Sequence, residues 1–270
     1  MKKQKTGIFY FSGTGNNLYV AKRLGELLNT RDVYPFRVLE EKLISLQEYQ
    51  KIIFSVPVYY SHIPSYVQEV LKKVTLKPEQ MVYDIVVCGG NRGCSVEDLR
   101  ECVRKAGGSV DGEYMIMLPG NYILAYGALP RGLIAIENSA AKRKIKKIAK
   151  NIIQESGNKI KKDGIFYKKS QEGQSKAAIV DFKKIGAMYT VSDSCVGCGN
   201  CEKVCPVLNI TMVNGKPEFA ENCEQCMACV QWCPKRAIDY KKEAAERKRY
   251  HHPEITLEEM KKANYCLKEK

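Results

Sequence analysis

Thr6-Gly-Ile-Phe-Tyr-Phe11 runs straight into Ser12-Gly13-Thr14-Gly15-Asn16-Asn17, and Leu18, Ala21, Leu24, Leu27 and Leu28 follow at helical spacing. A short apolar strand, a loop of glycines and hydroxyls, and a helix start make an anion site. Free backbone amides and the positive end of the helix dipole point at the same place. The loop also narrows the anion. A Walker A loop needs Gly-Lys-Ser/Thr, which is absent. A dinucleotide fingerprint needs a third glycine, and position 18 is leucine. The loop itself carries hydroxyls and carboxamides and no cationic side chain.

Outward from this unit, Lys51-Ile-Ile-Phe-Ser-Val56, Met81-Val-Tyr-Asp-Ile-Val-Val-Cys88 and Tyr114-Met-Ile-Met-Leu118 read as buried strands. A helix is predicted over 95–106. A basic amphipathic helix is predicted over 138–160, with Ala141, Ile145, Ile148, Ile152 and Ile153 on one stripe. This alternation predicts an α/β doubly wound parallel sheet of order 2-1-3-4-5. Such sheets bind ligands at strand ends. The ends here read Pro57-Val58-Tyr59-Tyr60-Ser61-His62-Ile63-Pro64, Gly89-Gly90-Asn91-Arg92-Gly93-Cys94 and Pro119-Gly120-Asn121-Tyr122.

The S-x-T-G-N-N loop and these strand ends resemble flavodoxins over about residues 5–160. The resemblance implies FMN. Its phosphate would lie on Ser12, Gly13, Thr14, Gly15, Asn16 and Asn17. Its ring would meet Pro57, Val58, Tyr59 and Tyr60 on one loop and Gly89, Gly90, Asn91, Arg92, Gly93 and Cys94 on another. Flavodoxins usually end the phosphate loop in Thr or Ser; the Asn17 carboxamide is a donor in their place. Tyr59 and Tyr60 either stack on the flavin or pack under their loop. The glycines either admit backbone amides to the pyrimidine edge or make a tight turn. Arg92 either sets positive charge beside the ring or faces solvent. His62 reads as an exposed loop histidine. Of the cysteines here, Cys102 falls on an apolar helix stripe with Val96, Leu99, Val103 and Ala106 and reads as core, as does Cys88 at its strand end.

Eight further cysteines form two runs: Cys195, Cys198, Cys201, Cys205 and Cys223, Cys226, Cys229, Cys233. Each reads C-x2-C-x2-C-x3-C followed by proline, the second run repeats the first at an offset of 28, and Ile210 recurs as Ile238. A zinc site would use two CxxC pairs around one tetrahedron, which two complete runs fit poorly. Between the runs, residues 210–219 read as a hairpin turning at Asn214-Gly215. Residues 187–240 resemble a two-cluster bacterial ferredoxin, a small α+β domain. The resemblance implies two [4Fe-4S] clusters with crossed ligation: Cys195, Cys198, Cys201 and Cys233 for one, Cys223, Cys226, Cys229 and Cys205 for the other. The small Gly197, Gly199 and Ala228 would let backbone amides approach the cluster sulfurs.

The chain thus reads as four parts: 1–160, flavodoxin-like; 161–186, a basic linker; 187–240, the ferredoxin domain; 241–270, a charged, solvated tail. The whole resembles the flavodoxin/ferredoxin fusions of anaerobic bacteria and archaea. That implies an electron-transfer protein relaying electrons between two clusters and FMN. The alternative is an FMN-dependent oxidoreductase reducing a small acceptor, with Tyr59, Tyr60, Asn121 and Tyr122 around a substrate; no catalytic residue is assigned. The formal net charge is +14, but residues 141–190 alone carry +10 and residues 191–240 carry −2. That is not the footprint of a nucleic-acid binder. The basic helix is instead a solvated face or a docking patch for redox partners such as acidic ferredoxins. No apolar run is long enough to span a bilayer. The start Met1-Lys2-Lys3-Gln4-Lys5 carries no h-region, and twelve cysteines without one point to metal binding in the cytoplasm. Oligomeric state is not legible.

Overall fold

In the computed structural model, residues 5–160, 188–240 and 244–265 are described. The linker expected at 161–186 and Cys266 lie outside them. By backbone contacts the chain divides into two compact units. The first comprises residues 1–11, 17–119 and 131–178; the second comprises residues 12–16, 120–130 and 179–270.

The first unit is built on β1 (Thr6–Tyr10), β2 (Val33–Pro35), β3 (Lys51–Pro57), β4 (Met81–Cys88) and β5 (Val110–Met117). All pair in parallel, in the order β2-β1-β3-β4-β5. Every residue of β3 is buried, as expected of a strand covered on both faces. Helices α1 (Asn16–Leu28), α2 (Arg37–Glu40), α3 (Ser65–Leu71), α4 (Ser95–Lys105) and α5 (Arg131–Ile153) connect or flank the strands.

The structure departs from the sequence reading at two boundaries and one core position. Strand β5 starts at Val110 rather than Tyr114, because the buried Glu113 is neutralised by Arg100 and the strand runs through it. Helix α5 covers 131–153 rather than 138–160. It ends where Glu155 takes a left-handed φ of 52°. Cys102 is only half-buried, with Leu99 and Val103 taking the inward face of α4.

The second unit holds β6 (Tyr189–Val191), α6 (Asn200–Lys203), β7 (Ile210–Val213), β8 (Lys216–Phe219), α7 (Ala228–Gln231), β9 (Ile238–Tyr240) and α8 (Leu257–Tyr265). β6 pairs antiparallel with β9, and β7 with β8. The β7–β8 turn has Asn214 and Gly215 both at positive φ, the type I′ geometry that Asn-Gly favours. The sequence repeat is also a backbone repeat. Left-handed residues occur at 197 and 225, at 199 and 227, and at 208 and 236, each pair 28 apart. The stretch read as a solvated tail is instead partly core: Tyr250, His252, Ile255 and Met260 are all buried. Its many charges masked a sparse set of apolar anchors.

Candidate functional site

The cysteines of the second unit are arranged by the repeat. Cys195, Cys198, Cys201 and Cys233 line one cavity, together with Met212 and Pro234. The thiols that act electrostatically on Cys201 are Cys198 and Cys233. Those acting on Cys226 are Cys205 and Cys223. Thus the last cysteine of each run keeps company with the first three of the other. Proline after each run and a left-handed residue after it turn the chain there: Leu208 at φ 52°, Arg236 at φ 51°. The amide of Asn209 donates to Cys205 Sγ at 3.2 Å, and the amide of Ala237 donates to Cys233 Sγ at 3.3 Å, again 28 apart. Gln225 N–H donates to Cys223 Sγ at 3.3 Å. Such amide donors stabilise negative charge on sulfur.

Burial pushes the thiols of Cys201 and Cys205 up to about 11, and raises those of Cys226 and Cys229 well above the ordinary thiol value. A metal cation that binds such thiols replaces their protons, which leave to solvent. Among the described residues, no group of three or more His, Cys, Asp or Glu closes on a single metal ion. The four thiols of the first site surround a space instead.

The loop after β1 is buried and polar: Ser12, Thr14 and Asn17 are each at most 2% exposed. Ser12 Oγ accepts from the Gly15 amide at 3.2 Å, which folds the loop on itself, and Gly15 takes φ +96°. The Asn17 side-chain oxygen accepts from Ser55 Oγ at 2.9 Å, which turns its NH₂ the other way as a donor. Thr14 Oγ1 accepts a hydrogen bond from Asn121 Nδ2, so the Thr14 hydroxyl proton is available to another acceptor.

At the ends of β3 and β4 the structure joins two of the expected loops. Tyr59 and His62 exchange two backbone hydrogen bonds, at 2.8 and 3.0 Å, around Tyr60 and Ser61. Both turn residues lie at positive φ, 50° and 68°, a strained pair without glycine. The Cys94 amide donates to the Ser61 carbonyl at 2.6 Å. Gly93, at φ +53°, sits so close to Ser61 that a Cβ would fall 2.3 Å from its carbonyl oxygen. Its glycine is therefore fixed by a close approach as well as a turn. Val58, Tyr59 and Tyr60 are half-buried, and Phe11 meets the Tyr59 ring edge-on at 6.3 Å. Gly89, Gly90 and Asn91 are exposed, and a Cβ on Gly90 would meet nothing within 4 Å. Arg92 is not a free cation: it pairs with Glu97 at 2.8 Å. Nor is His62 a loose loop histidine, since its Nδ1 lies 2.8 Å from Asp98 Oδ2. The sequence reading missed Asn121 as the partner of Thr14, and Trp232, His252 and Tyr250, whose contacts with the same loop are described below.

A family model described as a 4Fe-4S dicluster domain matches residues 187–248, and a second, described as a flavodoxin domain, matches residues 7–99. Ferredoxin-3 of Nostoc sp. is 38% identical over 68 residues, covering 18% of this chain and 70% of that protein. The chain belongs to the flavodoxin/ferredoxin fusion family. Solved structures similar to the fusion's flavodoxin part are low in identity. The flavodoxin of Fusobacterium nucleatum bound to flavin mononucleotide is 15% identical, with 57% of this chain and 99% of that chain covered and a TM-score of 0.41. The Streptococcus pneumonia TIGR4 flavodoxin is 14% identical, with 55% and 97% covered and a TM-score of 0.40. The two domains make the fusion a flavin and iron–sulfur electron-transfer protein. No helix among its described residues is long and apolar enough to cross a membrane.

Proposed function

We propose that the fusion relays electrons between two [4Fe-4S] clusters and one FMN and exchanges them with redox protein partners. The observation that carries this reading is the cavity lined by Cys195, Cys198, Cys201 and Cys233, in which three cysteines of one run meet the last of the other. Crossed ligation, with Cys205 joining Cys223, Cys226 and Cys229, follows from the same repeat. When bound, the clusters transfer single electrons and the flavin stores one or two. The chain's part is to hold them. Amides at Asn209 and Ala237 stabilise thiolate charge. Ser12–Asn17 offers hydroxyl and amide donors to the flavin phosphate at the start of α1. Residues 57–60 and 89–94 supply apolar and backbone contacts for the ring.

Anaerobically reconstituted protein tests this. It should contain about eight iron and eight sulfide per chain, from two cubanes, and one extractable FMN. Reductive titration should take up about four electrons. Stoichiometric zinc without sulfide, or FAD in place of FMN, would overturn the reading.

A further inference from the structure

Within the second unit, residues 12–16 are fastened by side chains that adjoin Cys233. The indole Nε1 of Trp232, the residue before Cys233, donates to the Gly13 carbonyl at 3.0 Å. Trp232 is 6% exposed, and its ring stacks on His251 at 4.3 Å. The His252 amide donates to the Thr14 carbonyl at 2.9 Å, and the Tyr250 hydroxyl donates to Asn16 Oδ1 at 2.8 Å. Gln231 ties these together. Its Oε1 accepts from the Tyr250 amide at 2.7 Å, and its Nε2 donates to the Asn121 carbonyl at 2.8 Å. Asn121 in turn reaches Thr14 Oγ1.

These contacts share one chemical feature. Each takes a carbonyl or a side-chain oxygen of the loop, and none takes a backbone amide. These bonds from the rest of the second unit occupy oxygens of the loop and none of its backbone N–H groups, the donors that an anion site uses. The anchoring residues are also continuous with the cluster ligands: Trp232 is covalently next to Cys233, and Gln231 lies two residues from both Cys229 and Cys233.

We propose that Trp232 is a positioning residue that couples the phosphate loop to the iron–sulfur site closed by Cys233. The proposal rests on the reading of Ser12–Asn17 as the FMN phosphate site. With the cluster in place, Cys233 fixes Trp232 and the indole holds the Gly13 carbonyl, so the loop amides stay aimed at the phosphate. With the cluster lost, the loop slackens and FMN affinity falls. By reciprocity, FMN binding favours retention of that cluster.

The test compares FMN and riboflavin affinities by flavin fluorescence under anaerobic conditions, with iron content measured alongside. Trp232→Phe keeps the ring and frees the Gly13 carbonyl, so the loop must be ordered when FMN binds; FMN should bind more weakly, by up to about 12-fold, the full worth of one neutral hydrogen bond, while riboflavin is little changed. Cys198→Ala, which removes a ligand of the first site, should weaken FMN in the same direction. Tyr250→Phe is the second variant should Trp232→Phe fold poorly; it removes the bond to Asn16 and should again lower the FMN-to-riboflavin preference. A wild type that prefers FMN, with these variants indistinguishable from it, overturns the coupling alone. A wild type that binds FMN no better than riboflavin removes the phosphate site itself, and the coupling with it.

Discussion

Thr14→Ala separates phosphate recognition from loop structure. Thr14 is 1% exposed, and its Oγ1 accepts from Asn121 Nδ2. An oxygen already accepting from Asn121 still has its own proton to give, and a phosphate is the strongest acceptor such a hydroxyl can meet. A hydrogen bond to a charged group contributes about 1.5–3 kcal/mol. FMN affinity should therefore fall about 10- to 150-fold. The variant also strands Asn121 Nδ2, but that cost falls equally on the free and bound protein. It lowers stability and cancels from the affinity.

Titration of reconstituted protein by flavin fluorescence quenching reads this directly, with riboflavin as the ligand that lacks the phosphate. Riboflavin should bind the wild type far more weakly than FMN does and should be almost indifferent to Thr14→Ala. Thr14→Ser restores the hydroxyl and should recover most of the loss. Equal loss of FMN and riboflavin, or a serine variant no better than alanine, would refute the reasoning.

Cys205→Ala should abolish the EPR signal of the cluster held by Cys223, Cys226 and Cys229, although Cys205 belongs to the first run; loss of the other cluster alone would rule out crossed ligation. Arg100→Ala should destabilise the first unit by about 3–5 kcal/mol, because Glu113 is 0% exposed and would be left as a buried charge without its guanidinium; thermal melts check this. Burial pushes the Glu113 carboxyl up, but the Arg100 pair and the Ile160 amide outweigh it and hold it below the usual carboxylate range. The stability it contributes is therefore present above pH ~4.5 and is lost as pH falls through the depressed value, a loss that acid unfolding of the wild type should show. Asp84 is the opposite case: burial, aided by Glu113, raises its pKa well above the ordinary value. Its folded form prefers to be neutral, so stability declines as pH rises past about 4; Asp84→Asn should melt higher than wild type at pH 7, with the gain shrinking towards pH 4.

What was legible in the sequence was what periodicity and spacing encode. The β1–loop–α1 unit and the buried β3 and β4 are contiguous apolar runs, and the two cysteine runs repeat at the same spacing, each ending in proline. The edge strand β2 could not be located, because three half-buried residues, Val33, Tyr34 and Pro35, carry no period. The start of β5 is not legible because Asp111, Gly112 and Glu113 precede the apolar run that begins at Tyr114. In the fold, Glu113 is paired with Arg100, and Gly112 leaves room for the Tyr83 and Tyr114 rings, which a Cβ would meet at 2.8 and 2.9 Å. Arg92 and His62 took on partners, Glu97 and Asp98, that lie on the following helix and have no sequence signature. The least legible feature was 244–265. Tyr250, His252, Ile255 and Met260 are too sparse for a hydrophobic stripe, and their partners lie in segments remote along the chain.

The repeat shows the same division between what residues declare and what the fold imposes. In the first copy the left-handed positions 197 and 199 are glycines, so the turn around Cys198 and Cys201 is visible in the sequence. In the second copy the equivalent positions are Gln225 and Met227, at φ 49° and 60°. An L-residue in that region costs about 1–2 kcal/mol. The two copies nevertheless keep the same backbone, which means the conformation is held by what it encloses rather than by its own propensity. Within that turn the Gln225 amide donates to Cys223 Sγ. Any metal bound by the thiols of this run adds its binding free energy to the same side of the balance. The first run is therefore pre-shaped by its glycines, whereas the second depends more on ligand binding to keep its turn. On the proposed crossed ligation, the site that draws three ligands from the second run, Cys223, Cys226 and Cys229, should gain the most order on loading.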